Sequence, residues 1–348
     1  MTFTIGRSHT GSGAPAGRLG SYRALDGTAG APLWLDFDAP HAVLIVGKRG
    51  YGKSYTMGVV AEALSQTTAI APVLIDPMGG FRTLDTSAGG DHVHATVIAS
   101  PTVRADSLDP RSWCTVRGLT PESGPGGLVW QAAQAESTLA GMRDHVGGAT
   151  APNADKRAAI NHLTLAMEWE IFDPNGLRAT ELGGSEITVL DLSALDTAPM
   201  NAVTRAVGEA LYRARLTDTM TRLPWLLIDE AHTFFGGIAA ETLNMLLTRG
   251  RAPGVSVVLA TQRPSAIPEV GLSQADILIT HRLTSQADFD ALEAAKPTYM
   301  ADSLAERMPT DPGEVVIIDD ATETVHTARI RKRRTPHGGN SPRASQQL

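Results

Sequence analysis

At 348 residues, with 42 % hydrophobic residues and a net charge of −7, the chain has material for one large α/β domain or two smaller ones around a sizeable core. No uninterrupted apolar run approaches the ~20 residues that cross a bilayer, and the Gly-, Ser- and Thr-rich stretch from Met1 to Gly20 lacks the apolar segment of a secretory signal, so neither a membrane span nor export is expected. The single cysteine, Cys114, excludes an internal disulfide and agrees with a cytoplasmic location, where it reads as a small core residue.

In chain order, residues 1–17 read as a flexible start, and short apolar pieces around Leu33-Trp34-Leu35 suggest one or two leading strands. Ala42–Val46 is an apolar run of strand length. It is followed by the octet Gly47-Lys48-Arg49-Gly50-Tyr51-Gly52-Lys53-Ser54, and then by a helical stretch from Tyr55 to Ala63. The octet fits the phosphate-loop pattern, and a strand feeding a glycine-rich turn into a helix aims backbone N–H groups and the positive helix end at one point. The expected ligand is a nucleoside triphosphate, held by Gly47 through Tyr55. In that arrangement Gly47 and Gly52 let the backbone curl around phosphate oxygens, Lys53 reaches the β- and γ-phosphates, and Ser54 holds Mg²⁺.

Further apolar runs predict strands at Pro72–Ile75, Ile187–Leu192, Trp225–Ile228, Val255–Ala260, Ile277–Thr280 and Val315–Ile318. Helical spacing runs through Met200 to Leu216, Ala239 to Leu247 and Gln286 to Ala295. Strand alternating with helix implies an α/β, doubly wound, mostly parallel sheet flanked by helices. The stretch 109–182 differs. Gly/Pro breaks surround helical pieces at Leu128–Met142 and Asp155–Phe172, which reads as a mainly helical insertion within an ATPase domain spanning 18–335. Residues 336–348 read as a disordered tail. Ala328 to Leu348 holds six basic residues and no acid, which leaves the rest of the chain at −13. An acidic body with a basic tail can meet an anion such as DNA locally, and a solvated terminus has the same composition.

Two more elements carry chemistry. Leu226-Leu227-Ile228-Asp229-Glu230-Ala231-His232 is an apolar strand ending in two acids. Asp229 is expected in the magnesium shell with Ser54, and Glu230 is placed to orient and deprotonate an attacking water. His232 reads as a structural or coupling residue. Val257 to Ser265 is a strand ending in Thr261-Gln262, which puts an amide where it can sense the γ-phosphate. Before it, Arg249 and Arg251 offer a finger for a neighbouring subunit's triphosphate.

Together, GKRGYGKS, LLIDEAH and GRAPGVSVVLATQRPS, followed by the basic segment Arg331 to Gly338, resemble the HerA/FtsK superfamily of DNA-pumping ATPases, and its HerA branch most. The resemblance covers about Gly17 to Gly339. It implies a RecA-like domain assembling as a hexameric ring on double-stranded DNA, often beside a NurA-type nuclease or another effector. Lys53, Ser54, Asp229, Glu230 and Gln262 match the family's functional positions. Arg251 matches a shared arginine by its distance from the next glycine, with Arg249 the second choice for the finger.

The chain departs from the family in two places. About forty residues precede Ala42, too few for a complete N-terminal β-barrel, and Asp76-Pro77-Met78-Gly79-Gly80-Phe81 lacks the acid the family carries in this turn. The expected activity is ATP-driven DNA translocation, in DNA-end processing or defence. The alternatives are a packaging or conjugative DNA pump and a non-motor nucleotide-gated ATPase. A GTPase switch would need an Asn-Lys-x-Asp guanine reader, and no lysine here follows an asparagine.

Overall fold

The computed structural model describes residues 3–7, 13–24, 27–85, 93–300 and 303–338. The chain opens with strands β1 (Phe3–Ile5), β2 (Ala16–Arg23), β3 (Ala29–Asp36) and β4 (Ala42–Val46), followed by helix α1 (Lys53–Leu64) and strands β5 (Ile70–Asp76) and β6 (Ala95–Ile98). Four helices come next: α2 (Pro110–Val116), α3 (Gly124–Ala135), α4 (Leu139–Gly148) and α5 (Asn153–Met167). The second half runs β7 (Ile187–Asp191), α6 (Thr197–Leu216), β8 (Leu223–Ile228), α7 (Ala239–Arg249) and β9 (Ser256–Thr261). It ends with α8 (Glu269–Ser273), β10 (Ile277–Thr280), α9 (Gln286–Ala294), β11 (Glu314–Asp319) and β12 (Thr324–Ile330).

All the strands among the described residues join one sheet, ordered β1-β3-β2-β12-β11-β10-β4-β9-β8-β5-β7-β6. From β10 to β6 every pair is parallel, as the continuous apolar runs predict for strands covered on both faces. β5 is buried along its whole length, yet it contains Pro72. Its pairing with β7 begins only at Val73, so the missing N–H of Pro72 falls outside that ladder. Beyond β10 the sheet continues through the antiparallel neighbours β11, β12, β2 and β3.

The fold corrects three expectations. The start of the chain is not flexible throughout: Phe3–Ile5 pairs in parallel with β3, because Ile5 is an apolar side chain fully buried under the sheet. Leu128–Met142 is not one helix. α3 stops at Ala135 and α4 starts after Thr138, whose Oγ1 accepts from the Gly141 N–H at 3.0 Å, a local cap that competes with helix continuation. The strand before the basic segment, β12, is absent from the sequence reading because it is only half-buried and shows no continuous apolar run. Of the expected tail, Pro336 to Gly338 is described, and Thr83 Oγ1 donates to the Pro336 carbonyl at 2.7 Å. Residues beyond Gly338 lie outside the described part. Cys114 is buried and its thiol faces the Gly126 carbonyl. Among the described residues, no helix is long and apolar enough to cross a membrane.

At the N-terminal edge of the parallel strands, His41 is 4 % exposed and lies between two carboxylates, with Nδ1 2.8 Å from Asp276 and Nε2 3.2 Å from Asp36. Burial opposes its charge, but the two acids outweigh burial and raise its pKa to about 9. The folded state therefore holds a proton that the unfolded chain releases near pH 6.5. This contribution is fully present below pH 6.5, shrinks as pH rises, and is gone above about 9. Its size is ~3 kcal/mol, from about 1.4 kcal/mol per pKa unit. His41→Gln is expected to destabilise the protein at pH 6 and to flatten the fall in melting temperature between pH 7 and 10. A variant whose alkaline profile matched wild type would show that His41 is neutral in the fold.

Candidate functional site

The phosphate loop leaves the C-terminal end of β4, and its shape depends on glycine at two points. Gly47 (φ 152°) packs so closely on His281 that a Cβ there would lie 2.5 Å from the histidine Cβ. Gly52 (φ 109°) caps α1 in the left-handed region, where an L side chain is strained. The loop is held from below by the chain after β10: the His281 N–H donates to the Val46 carbonyl at 2.8 Å and the Lys48 N–H to the Arg282 carbonyl at 2.8 Å. His281 is fully buried, and its Nε2 hydrogen-bonds Thr56 Oγ1 at 2.9 Å. Burial and the nearby Lys53 push its pKa down to about 3, so it supports the loop as a neutral ring. Neither His281 nor Thr56 carries a sequence signal, since nothing local says that residue 281 lies under residue 47.

Lys53 is 5 % exposed, and its Nζ donates to the Lys48 carbonyl at 3.3 Å. Burial lowers its pKa, while Glu230 and Asp229 oppose the shift. Ser54 Oγ donates to Asp229 Oδ2 at 2.8 Å, so the two expected magnesium residues are in contact. Burial first, then the charge of Glu230, raises Asp229 to about 6 against the Ser54 hydrogen bond. Asp76, at the end of the adjacent β5, is also raised to about 6 by burial, although the N–H groups of Met78, Gly80 and Phe81 favour its charge. Two crowded buried carboxylates beside a hydroxyl are a hard-oxygen set that a divalent cation would stabilise. Asp76 accepts these three N–H groups from its own turn and so holds the Asp76–Phe81 corner.

Glu230 follows Asp229 in the left-handed region (φ 45°, ψ 44°), an unfavourable conformation for a non-glycine residue. The turn drives its carboxylate away from the strand axis into the same cavity as Lys53 and Ser54. Burial raises its pKa, opposed by Lys53, the Gln262 backbone N–H and Arg49. Its Oε2 is buried without a hydrogen-bond partner. His232 Nδ1 lies 3.4 Å from that oxygen and 3.2 Å from Thr261 Oγ1, linking the ends of β8 and β9. Burial, Arg263 and Lys53 lower the His232 pKa. Gln262 thus meets Glu230 through its backbone.

The cavity is about 730 Å³, and Arg49 to Tyr55, Asp229 and Glu230 line one side. The rest of the lining was not legible in the sequence: it is made by Met78 to Gly80, the Pro312-Gly313 turn, whose Gly313 N–H donates to the Tyr51 carbonyl at 3.4 Å, and the basic segment Arg329 to Lys332 with His337 and Gly338. Lys48 caps the loop from outside, with Nζ 4.4 Å from the centre of the Tyr51 ring.

The two arginines lie elsewhere. Arg249 ends α7 and is exposed. Arg251 precedes β9 and pairs with Asp276 at 2.7 Å, at the N-terminal edge of the sheet. The phosphate loop is at the C-terminal edge, one strand length away, roughly 17 Å at 3.3 Å per residue. Neither arginine reaches the triphosphate position of its own chain.

A parallel sheet with β4 and β8 separated by β9, a phosphate loop on β4 and an acid pair on β8 define a RecA-like P-loop α/β fold. Among solved structures the chain is similar to VirB4 of Thermoanaerobacter pseudethanolicus, with a TM-score of 0.66 and 15 % identity, over 93 % of this chain and 98 % of that one. It is also similar to the bacterial conjugative coupling protein TrwBdeltaN70, with a TM-score of 0.56 and 14 % identity, over 95 % of this chain and 98 % of that one. At these identities the likeness is one of fold. No protein-family model and no curated protein matches the sequence.

Proposed function

We propose that the chain is an ATP-hydrolysing, DNA-translocating motor of the HerA type, working in the cytoplasm as a ring on double-stranded DNA. The observation that carries the reading is the contact of Ser54 with Asp229 beside Lys53 and Glu230, on a fold similar to that of a conjugative coupling protein. In this reading the loop amides and Lys53 bind the triphosphate and balance its charge. Ser54 and Asp229 would hold Mg²⁺, which when bound neutralises charge on the β- and γ-phosphates. Glu230, a half-buried carboxylate with a raised pKa, takes the proton of the attacking water, and Gln262 senses the γ-phosphate. Arg251, or failing it Arg249, serves a neighbouring subunit, because each lies at the sheet edge away from its own loop. Turnover then requires an assembly, for which a hexamer is the natural form, and a nuclease of the NurA type is a fitting partner. A conjugative or packaging pump would use the same residues, and the likeness to the coupling protein keeps that reading beside the first.

The test is ATP hydrolysis with and without linear double-stranded DNA, with particle mass recorded in the same samples. DNA-stimulated turnover by a six-chain particle is the expected result. Turnover indifferent to DNA, carried by single chains, would overturn the motor reading and leave a non-motor ATPase.

A further inference from the structure

Glu62 lies on α1, two turns past the phosphate loop, and is fully buried. A buried carboxylate is unfavourable unless it is paired and hydrogen-bonded. Burial pushes its pKa up, but the N–H groups of Thr335 and Arg334, then the Arg331 guanidinium and the Thr335 hydroxyl, hold it below the ordinary value. Arg331 Nη1 donates to Oε2 at 2.7 Å, the Arg334 and Thr335 N–H groups donate to Oε1 at 2.9 Å each, and Thr335 Oγ1 donates to Oε1 at 2.8 Å. All these partners are 269 or more residues away along the chain.

The rest of that helix face is shaped for the same segment. The Tyr55 phenol oxygen accepts from the Arg333 N–H at 2.7 Å. Gly58 lets the buried Arg333 guanidinium lie against the helix, where a Cβ would come within 2.7 Å of its Cζ. Arg333 in turn reaches Thr335 Oγ1 at 2.8 Å and His337 Nδ1 at 3.2 Å. The segment then crosses to the corner after β5, where Gly338 passes against the Gly80 carbonyl. It leaves β12, straps over α1 and ends on the far rim of the cavity. A triphosphate seated on the loop would take up the space at Lys53 and Ser54, and the strap's Arg331, Lys332, His337 and Gly338 line the same cavity.

We propose that the two ends of this strap that line the cavity, Arg331-Lys332 and His337-Gly338, form the nucleoside-side wall of the nucleotide pocket, and that Glu62, which binds the stretch between them, is the positioning residue that holds the strap in place. The proposal rests on the nucleotide-binding reading above and adds a separable claim, that the strap serves the nucleoside and not the phosphates. The probes are therefore ATP and inorganic tripolyphosphate, each titrated with Mg²⁺ present. Glu62→Gln and Thr335→Val are expected to weaken ATP binding by on the order of tenfold, the effect of losing one charge-assisted hydrogen bond. Tripolyphosphate affinity should stay within about twofold in both, and Thr335→Ser should restore ATP affinity. Should Glu62→Gln fail to fold, Thr335→Val and its serine counterpart decide alone. Unchanged ATP affinity, or equal loss for both ligands, overturns the proposal. A wild-type protein that bound neither ligand would remove the nucleotide reading itself, and the strap's role with it.

Discussion

Lys53→Ala is expected to abolish the thermal stabilisation that Mg²⁺-ATP should confer on the wild-type protein. A ligand that binds only the folded state adds about 2.7 kcal/mol at a hundred times its dissociation constant, so the wild-type melting temperature should climb with ATP concentration. Lys53 is the lysine of the loop that lines the cavity, and its charge is already desolvated and faces Asp229 and Glu230. Removing it takes away the buried cation between the triphosphate and the two carboxylates. A charge pair at 4 Å is worth about 4 kcal/mol at an effective dielectric of 20, which corresponds to a loss of affinity on the order of a thousandfold. The ligand-free variant should melt close to wild type, because burial works against the lysine's charge in the unliganded fold. Differential scanning fluorimetry across an ATP series decides it. An undiminished ATP-dependent shift in Lys53→Ala would place the nucleotide somewhere other than this loop.

Glu230→Gln is expected to keep ATP affinity and to lower turnover on the order of a hundredfold to ten-thousandfold, the range attributed to a general base. The substitution preserves shape and the same left-handed backbone at φ 45°, so the turn that delivers residue 230 to the cavity is unchanged. It removes only the capacity to take a proton. It also removes a negative charge next to Asp229, whose raised pKa owes part of its shift to Glu230, so magnesium-dependent ATP binding should hold or tighten. Binding measured with ATP and turnover measured by phosphate release separate the two effects. Turnover within about threefold of wild type would strip Glu230 of the proton-accepting role and turn attention to its neighbour Asp229.

Much of the site was legible because its parts are contiguous in sequence. The octet Gly47 to Ser54 places strand, turn and helix within one short stretch, and Leu226 to Glu230 does the same for the acid pair. The strands Ala42–Val46 and Ile277–Thr280 match the structure to the residue, since both are apolar runs cut off by glycine or by polar residues. Legibility ends where pairing makes up for a weak local pattern. β6 and β12 lie largely half-exposed and are not assigned as strands from the sequence, because edge and antiparallel strands need not be apolar on both faces. The basic segment looked like a solvated tail or a DNA-seeking one. Its arginines in fact embrace a carboxylate on α1, a contact that composition cannot reveal.

The sequence by itself determined the pieces of the proposed chemistry: a glycine-rich loop with a lysine and a hydroxyl, a strand ending in two acids, and the alternation of strand and helix that makes a parallel sheet. These follow from short-range rules of backbone geometry and side-chain type, which act within a few residues. Only the tertiary structure decided what surrounds that chemistry. It put neutral His281 beneath Gly47, wrapped residues 331–338 around Glu62, and set Arg251 against Asp276 at the opposite edge from the loop it was expected to serve in a neighbour. Each of these is a contact between residues far apart in the chain. Such contacts arise from strand order and the burial of paired polar groups, and no local pattern in the sequence encodes them.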